Sequence, residues 1–233
     1  MYDYVIFDAD HTIIDFDADE RRAFYAAFRA AGKEPTADMV DACWRFSAEN
    51  WADLGLYNVH LPEIQARYHE LYYTHVREIM AFADGAFGLG AQRERAERVF
   101  TEALSAAAHP VEDAPAVLAA LSPRYKLCVA TNGLSSMQAG RLAPLSPFLC
   151  RTFISEEMGF IKPNPAFFRA MTEELGAESS RCLMVGDSLG SDVAGANAAG
   201  MDCIWFNRSG APLPPAYRVK AVISHLTALL EIL

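Results

Sequence analysis

The sequence of 233 residues has no C-x-x-C pair, no long uninterrupted apolar run, and too few basic residues to balance its acids. Its five cysteines are odd in number and widely spaced, so neither a disulfide framework nor a cysteine-rich zinc site is expected. Lys and Arg number 20 against 30 Asp and Glu, which gives a formal net charge of −10. This balance argues against a nucleic-acid polymer or an anionic membrane as the main partner. A small phosphorylated ligand is not excluded by this charge, because a bound cation can reverse the local electrostatic field.

The apolar segments are too short to span a bilayer, and the first residues lack the basic stretch and apolar core of a secretory signal. We therefore expect a soluble protein of a reducing compartment, the cytoplasm. Hydrophobic residues make up 52% of the chain, which is enough for a substantial core. The sequence does not distinguish a monomer from a homodimer.

Short apolar runs, several of them rich in β-branched residues, recur along the chain. They cover residues 4–7, 127–131, 152–154, 182–185, 202–206 and 219–223. Most are continuous rather than alternating, which is typical of parallel strands covered on both faces. Helical patterns lie between them, at residues 113–120, 135–143, 164–175 and 192–199. This alternation predicts an α/β fold with a doubly wound, mainly parallel, Rossmann-like sheet.

The segment 16–110 has a different composition, rich in Ala and aromatic residues and poor in strand character. Its apolar periodicity predicts four amphipathic helices, at residues 17–31, 36–53, 62–82 and 91–108. Thr36 is the expected N-cap of the second helix, and Pro62 the expected first residue of the third. The glycine-rich stretch at 85–90 predicts a flexible joint. We therefore predict a core domain of residues 1–15 and 111–233, with an inserted helical domain at 16–110.

Polar side chains that could act together follow several of the predicted strands or lie in nearby loops. They are Asp8, Asp10, Thr12, Thr131, Asn132, Lys162, Asp187, Ser188 and Asp192. In an open parallel sheet, ligands bind outside the carboxyl ends of the strands. We therefore expect these groups to meet at one edge of the sheet.

This combination of groups suits phosphoryl transfer. Clustered carboxylates are unfavourable unless a cation binds them, and a few hard oxygen ligands suit Mg²⁺, which also takes phosphate oxygens. A carboxylate can act as the nucleophile and form an aspartyl-phosphate, which divides one difficult displacement into two easier steps. A lysine, a hydroxyl group and backbone amides supply the charge stabilisation that the reaction needs. A second acid can protonate the leaving alcohol and later activate water.

Four motifs, in chain order, resemble those of the haloacid dehalogenase superfamily phosphatases. They are DADHT at 8–12, TNG at 131–133, KP at 162–163 and GDSLGSD at 186–192. The predicted fold extends the resemblance over essentially the whole chain. The resemblance implies that residues 16–110 form a helical cap domain, which closes over the site and sets the choice of substrate.

The resemblance implies a role for each of the four acids. Asp8 would be the nucleophile and a Mg²⁺ ligand. Asp10 would be the general acid and base, with its backbone carbonyl on the metal. Asp187 would ligate Mg²⁺, and Asp192 would support the metal site from behind its direct ligands.

The same resemblance implies that the remaining motif residues bind the phosphoryl group. Thr131 and the backbone amide of Asn132 would hold this group, and Lys162 would neutralise Asp8 and the phosphate. Many members have Gly at the position of His11, and the sequence does not explain the histidine.

The segments ISEEMG at 154–159 and KPN at 162–164 resemble the pyrimidine 5′-nucleotidase branch of this superfamily, a house-cleaning type that acts on nucleoside monophosphates. The expected substrate is therefore a small soluble phosphate, with a nucleoside 5′-monophosphate as the leading candidate. The same segments occur in relatives with other substrates. A phosphatase of sugar phosphates or phosphorylated acids, or a phosphomutase, therefore stays open.

Two more distant alternatives are disfavoured by the motif residues. Dehalogenases of the superfamily need no metal and lack the second acid of the first motif, so Asp10 counts against 2-haloacid hydrolysis. Non-catalytic binding modules of this fold usually lose the nucleophile or a metal-ligating acid, and Asp8 and Asp187 are both present.

The helical segment adds candidates whose roles the sequence leaves open. Four aromatic residues could stack on a nucleobase or form bundle core; they are Trp44, Phe46, Trp51 and Tyr57. His60, His69 and His75 lack a metal-ligand pattern, so we expect exposed or partly packed histidines.

Overall fold

The computed structural model describes residues 1–106 and 109–233, and in these residues it has six β-strands and ten α-helices. The strands are Tyr4–Phe7 (β1), Lys126–Thr131 (β2), Leu149–Ile154 (β3), Cys182–Gly186 (β4), Asp202–Phe206 (β5) and Ala221–Ile223 (β6). The helices are Phe16–Ala30 (α1), Ala37–Asp53 (α2), Pro62–Phe87 (α3), Arg93–Ala106 (α4), Ala114–Leu121 (α5), Ser135–Leu142 (α6), Ser155–Met158 (α7), Pro165–Leu175 (α8), Ala194–Ala198 (α9) and Leu229–Ile232 (α10).

The chain divides into two compact units. Unit 1 consists of Met1–Asp15, Pro110–Ser135 and Leu142–Leu233. Unit 2 consists of Phe16–His109 and Ser136–Arg141. Within the described part of the chain, no helix combines the length and apolar character needed to cross a membrane.

Unit 1 contains one parallel sheet with the strand order β3-β2-β1-β4-β5-β6. The chain first adds strands on one side of β1 and then on the other, so β1 lies at the point where the winding reverses. The predicted doubly wound parallel sheet is therefore confirmed. Such a switch point opens a crevice at the carboxyl ends of the strands. Asp8 follows β1 at this point.

The start of β3 was predicted three residues too late, because Arg151 interrupts the apolar residues of the strand. Cys150 and Arg151 are exposed, and only the end of the strand, at Phe153 and Ile154, is buried. Edge strands of this kind are polar where they face solvent.

Helices α8 and α9 cover the central strands of unit 1. Phe167, Phe168 and Met171 on α8 are fully buried together with Ile6 of β1. A Cβ atom on Gly195 of α9 would collide with the ring of Phe168. The absence of a side chain at this position therefore lets the two helices approach closely.

Unit 2 is built mainly from four helices, and two of its predicted boundaries can be checked directly. Thr36 caps α2, because its hydroxyl accepts a hydrogen bond of 3.3 Å from the backbone N–H of Met39. The predicted joint at 85–90 is wrong at its start, since α3 continues through Gly85 to Phe87. One glycine inside a helix costs only about 1 kcal/mol, which the buried apolar face of α3 outweighs. The helix ends at Gly88, whose φ of 67° is left-handed.

The fourth predicted helix begins later than expected. A short 3₁₀ turn occupies Gly90–Gln92, and α4 starts at Arg93. The last two residues of the predicted helix 91–108 lie outside the described residues.

An ion pair between the buried Asp19 of α1 and the buried Arg141 of α6 connects the two helices within unit 2. Asp19 accepts hydrogen bonds from the backbone N–H of His109, at 3.0 Å, and from its ring Nδ1, at 2.6 Å. Arg141, which is fully buried, lies 3.6 Å from the same carboxylate and 5.0 Å from the centre of the Phe16 ring. A Cβ atom on Gly140 would collide with the carbonyl oxygen of Ser105, so α6 and α4 are also in close contact.

Candidate active site

The backbone turns sharply where β1 ends. The N–H of Asp8 still pairs with Val185 of β4, at 2.8 Å. The N–H groups of Ile13 and Ile14 then both donate to the carbonyl of Ala9, at 3.0 and 2.9 Å. Asp8 and Asp10 therefore lie in a tight turn rather than in the extended i, i+2 arrangement that a continuing strand would give.

The conformation of residue 11 accounts for the departure noted in the motif. His11 has a φ of 63° and is the non-glycine residue with positive φ in the described chain. Glycine adopts this left-handed region freely, and His, Asn and Asp enter it more often than most other residues. The turn that presents Asp8 and Asp10 thus favours glycine at this position and tolerates histidine.

Three carboxylates converge at the carboxyl edge of the sheet. Asp8, Asp187 and Asp192 each offer one oxygen, and these oxygens all lie within 4.8 Å of one another. Asp192 belongs to a π-helical turn, Leu189–Val193, and its carboxylate accepts a hydrogen bond of 3.1 Å from the N–H of Ser188. A Cβ atom on Gly186 would collide with this carboxylate. Glycine at the end of β4 therefore makes room for Asp192.

Lys162 places a positive charge against two of these acids. Its Nζ lies 2.6 Å from Asp8 Oδ1, 2.8 Å from Asp192 Oδ1 and 2.5 Å from the carbonyl oxygen of Ala130. The side chain is only 1% exposed. Burial alone would lower the pKa of Lys162, but the charges of Asp192 and Asp8 outweigh it and raise the pKa above its usual value. The lysine is therefore charged at neutral pH.

A single lysine does not balance the acids. Burial is the main cause that raises the pKa of Asp8 well above its usual value; Lys162 opposes the shift, while Asp192 and Asp187 add to it. The pKa of Asp187 is raised to about 7, first by burial and then by the charge of Asp192, with a smaller contribution from Asp10. A bound cation would favour the ionised form of each acid. The donor set, made of carboxylate oxygens, fits a hard divalent ion.

The residues that follow β2 are held by side chain–backbone hydrogen bonds. Thr131, at the end of the strand, is only 1% exposed. The carboxamide of Asn132 makes two hydrogen bonds with the backbone of Lys162, at 2.7 and 2.8 Å. Ser155, fully buried, accepts a hydrogen bond of 3.0 Å from the N–H of Gly133. The structure thus brings the second and third motifs into direct contact.

Two further residues contact the acids: Thr12, which the sequence placed at this edge, and Trp205, which sequence reasoning missed. The hydroxyl of Thr12 lies 3.5 Å from Asp8 Oδ2 and 3.4 Å from Asp187 Oδ1. Trp205 Nε1 donates a hydrogen bond of 2.7 Å to the carbonyl of Asp187. Thr12 was visible as the last residue of the first motif. Trp205 lies in an apolar strand, where nothing in the sequence separates it from ordinary core.

Unit 2 contains a separate polar network, which is defined here as the buried Glu20, Ser47, Asn50 and His75 together with the exposed Glu78. The Ser47 hydroxyl donates to Glu20 at 2.6 Å and lies 3.2 Å from His75 Nε2. His75 Nδ1 lies 2.7 Å from Asn50 Oδ1, and Asn50 Nδ2 donates to Glu78 at 2.5 Å. The expectation that His75 is exposed or partly packed is wrong, since the residue is 4% exposed. Burial lowers its pKa to about 4.

The four aromatic candidates of unit 2 are in different environments. Trp51 packs edge-on against the rings of Tyr72 and His75, with centroids 5.0 and 5.1 Å away. The guanidinium of Arg21 lies 4.4 Å from the centre of the Trp44 ring. The Phe46 ring stacks on Phe82, with the centroids 4.2 Å apart. Tyr57 is 66% exposed.

Comparison with known proteins identifies the family. Residues 2–200 match the family of haloacid dehalogenase-like hydrolases. The chain belongs to this family. The family predicted from the four motifs is therefore confirmed.

The relatives of this hydrolase include two pyrimidine 5′-nucleotidases. The chain is 32% identical over 211 residues to the pyrimidine 5′-nucleotidase PynA of Streptococcus pneumoniae, with 89% of the chain and 84% of the relative covered. It is 29% identical over 237 residues to the pyrimidine 5′-nucleotidase YjjG of Escherichia coli, with 100% of the chain and 98% of the relative covered. The predicted resemblance to this branch is thus also confirmed.

Solved structures agree with the fold of this hydrolase. The putative hydrolase YfnB of Bacillus subtilis, solved bound to magnesium and described as revealing interdomain movement, is 27% identical with a TM-score of 0.81. That match covers 99% of the chain and 98% of YfnB. The L-2-haloacid dehalogenase of Xanthobacter autotrophicus has a TM-score of 0.74 at 21% identity, with 100% of the chain and 98% of the dehalogenase covered. At that identity, the likeness shows a shared fold alone.

Proposed function

We propose that this hydrolase is a Mg²⁺-dependent phosphomonoesterase that acts on small soluble phosphates through an aspartyl-phosphate on Asp8, with nucleoside 5′-monophosphates as the leading substrates. The observation that carries the proposal is the contact of Lys162 Nζ with Asp8 and Asp192, beside the third acid Asp187. Two relatives named as pyrimidine 5′-nucleotidases, matched over most of their lengths, support the substrate class.

The metal proposal rests on the surplus of negative charge at this edge of the sheet. Asp8 and Asp187 would hold the ion through their carboxylates, and Asp10 through its backbone carbonyl. Asp192 would lie next to these ligands without binding the ion itself, and it would keep its contact with Lys162. When bound, Mg²⁺ would neutralise charge on the substrate phosphate and so lessen its repulsion of the nucleophile. The magnesium bound to the related hydrolase YfnB supports this choice of ion.

In the first step, a carboxylate oxygen of Asp8 attacks phosphorus, and the bond from phosphorus to the ester oxygen breaks. The protonated Asp10 donates its proton to that oxygen, so the alcohol leaves neutral. Thr131 and the backbone N–H of Asn132 donate hydrogen bonds to the transferring group, and Lys162 offsets its charge.

In the second step, the ionised Asp10 takes a proton from water, whose oxygen attacks the phosphorus of the aspartyl-phosphate. The bond between phosphorus and the Asp8 oxygen breaks, which releases inorganic phosphate and restores the carboxylate. Each acid returns to its starting protonation state.

We also propose that the helical segment predicted at 16–110, which makes up most of unit 2, acts as the cap that selects the substrate. Its helical composition and its insertion after β1 support this role. Interdomain movement described for the related YfnB is consistent with a mobile cap.

A phosphate-release screen tests the proposal. The purified protein is assayed with nucleotides, sugar phosphates and phosphorylated acids, each with Mg²⁺ and with EDTA. We expect nucleoside monophosphates to rank first and EDTA to abolish turnover. If sugar phosphates rank equally, the nucleotidase assignment fails and the reaction class stands. If no substrate releases phosphate with Mg²⁺, the reaction class fails and a non-catalytic module is favoured. A separate assay measures halide release from 2-haloacids in EDTA, and turnover there would instead indicate a dehalogenase.

A further inference from the structure

The side chain of Asn132 contacts the backbone of Lys162, 30 residues further along the chain. Its Nδ2 donates to the Lys162 carbonyl at 2.8 Å, and its Oδ1 accepts from the Lys162 N–H at 2.7 Å. One carboxamide therefore pairs with both backbone groups of the lysine. Because both bonds form at once, the backbone at this position cannot shift along the chain or rotate without losing them.

Two further contacts extend this attachment. The Ser155 hydroxyl accepts from the N–H of Gly133 at 3.0 Å and donates to its carbonyl at 3.3 Å. The N–H of Ser135, the first residue of α6, donates to Glu156 at 2.8 Å. The turn after β2 is thus hydrogen-bonded at three points to the segment that leads to Lys162.

The other end of Lys162 needs accurate placement. An ammonium group has three N–H donors, and here they face three acceptors, on Asp8, Asp192 and Ala130. A small displacement of the lysine backbone would move the ammonium away from Asp8. Misplacing a reacting group by about 1 Å can reduce a rate by about 100-fold.

We propose that the carboxamide of Asn132 is a positioning group that fixes Lys162 against Asp8, and that it does not contact the substrate. The inference rests on the proposed function and refines it. The backbone N–H of Asn132 serves the phosphoryl group, whereas its side chain serves the lysine. The sequence motif alone does not separate these two roles.

The chain offers a closely matched control for the test. Asn197 on α9 makes the same pair of bonds with Arg218, since Nδ2 donates to the carbonyl at 2.7 Å and Oδ1 accepts from the N–H at 2.8 Å. Arg218 precedes β6, at the amino-terminal edge of the sheet. Asn197→Ala therefore removes equivalent hydrogen bonds of the same unit, away from the acids.

The experiment measures kcat and KM for p-nitrophenyl phosphate with Mg²⁺, together with the melting temperature of each variant. We expect Asn132→Ala to lower kcat about 10- to 100-fold and to change KM less than about threefold, because the lysine is displaced while the substrate contacts remain. Asn197→Ala should lower the melting temperature by a similar amount and leave both kinetic constants within about twofold of wild type.

Two kinetic results would overturn the proposal. One is a loss of kcat in Asn132→Ala that is no larger than in Asn197→Ala. The other is a raised KM with unchanged kcat, which would mean that the carboxamide contacts the substrate. Ser155→Ala gives a second test if Asn132→Ala does not fold. It should lower kcat in the same direction by several-fold, and an unchanged kcat would count against the proposal.

Amide hydrogen exchange tests the attachment without any turnover. In Asn132→Ala, the Lys162 N–H should exchange faster, by up to about tenfold, while the N–H of Arg218 is unchanged. Asn197→Ala should show the reverse pattern. If the wild type releases no phosphate but this pattern appears, the proposed function fails while the attachment stands. If exchange at Lys162 is unaffected, the positioning role fails whatever the activity.

Discussion

The ammonium group of Lys162 is buried between the carboxylates of Asp8 and Asp192, and it cannot balance the charge of all three acids when they are ionised. Asp187, the third acid, has no comparable cation among the contacts described for it, and burial together with Asp192 raises its pKa to about 7. The free energy of the metal-free protein therefore includes the cost of holding three acids close together. A divalent cation at this point would remove that cost and stabilise the folded state.

This residue-scale account predicts that Mg²⁺ raises the melting temperature of the wild type, because a ligand of the folded state stabilises it by about 2.7 kcal/mol at 100 times its Kd. Asp187→Asn should lose most of this effect. Asp202→Asn, an acid at the opposite end of the sheet, is the control and should respond as the wild type does. Thermal unfolding in a magnesium titration is the measurement. An equal response of Asp187→Asn would remove this residue from the metal site.

A second residue-scale prediction concerns the left-handed backbone at His11. His11→Val should lower the free energy of unfolding by about 1–2 kcal/mol, because a β-branched side chain is strained at positive φ. His11→Gly should stay within about 1 kcal/mol of the wild type, since relief of strain is offset by the greater freedom of the unfolded chain. Urea unfolding measures both. Equal values for the two variants would contradict the backbone explanation.

At the scale of helices, the polar network of unit 2 links α1, α2 and α3. None of its residues takes part in the proposed phosphoryl transfer. Burial raises the pKa of Glu20 to about 7, against the hydrogen bond from Ser47, which lowers it. The carboxyl group is therefore largely protonated in the folded protein below neutral pH. Its charge appears within the helices as the pH rises through 7.

The expected consequence is a pH-dependent stability that Glu20→Gln removes. An unfolded glutamate ionises near 4.5, whereas folded Glu20 keeps its proton to about 7. The stabilising contribution of Glu20 is therefore fully present below pH 4.5, and is lost at about 1.4 kcal/mol per pH unit up to pH 7. Since Gln does not ionise, the variant should gain stability relative to the wild type across this window.

Urea unfolding followed by tryptophan fluorescence at pH 5, 6 and 7 makes the comparison. Glu49→Gln, at an exposed position on α2, is the matched control and should run parallel to the wild type. Parallel curves for Glu20→Gln and the wild type would mean that the buried carboxyl does not titrate in this range.

Also at this scale, the sequence predicts elements better than it predicts the contacts between them. The acids after β1 and β4 could be found because each follows a short, continuous apolar strand, and parallel topology then brings their ends together. The hydrogen bond from Trp205 to the carbonyl of Asp187 could not be predicted, since a tryptophan within an apolar strand looks like an ordinary core residue. Glu20 and His75 were also beyond reach, because helical periodicity places polar residues on a solvent face unless their partners on other helices are known.

The same limit applies to α3 and to His11. A pattern marks Gly85 as a breaker, but the helix continues because a buried apolar face outweighs the cost of one glycine. The positive φ of residue 11 cannot be read from the sequence, because histidine rarely adopts it and only the backbone of the structure shows it. Local composition therefore predicts only the preference of a residue for a conformation. Packing decides the conformation of Gly85, and the turn after β1 decides that of His11.

At the scale of the whole molecule, the proposed chemistry and the proposed selection of substrate belong to different units. The motif residues Asp8, Asp10, Thr131, Asn132, Lys162, Asp187 and Asp192 all lie in unit 1. The polar network and the four aromatic candidates lie in unit 2. Substitutions in unit 1 therefore test the reaction, whereas the substrate panel tests the proposed cap.

The most direct test of the central claim is phosphate release by Asp8→Asn in saturating Mg²⁺, on the best substrate of the panel and beside the wild type. The account predicts a folded variant with a circular dichroism spectrum like that of the wild type, and with turnover reduced at least about a thousandfold, because an amide cannot form the aspartyl-phosphate. Turnover near the wild-type rate in this variant would contradict the assignment of Asp8 as nucleophile.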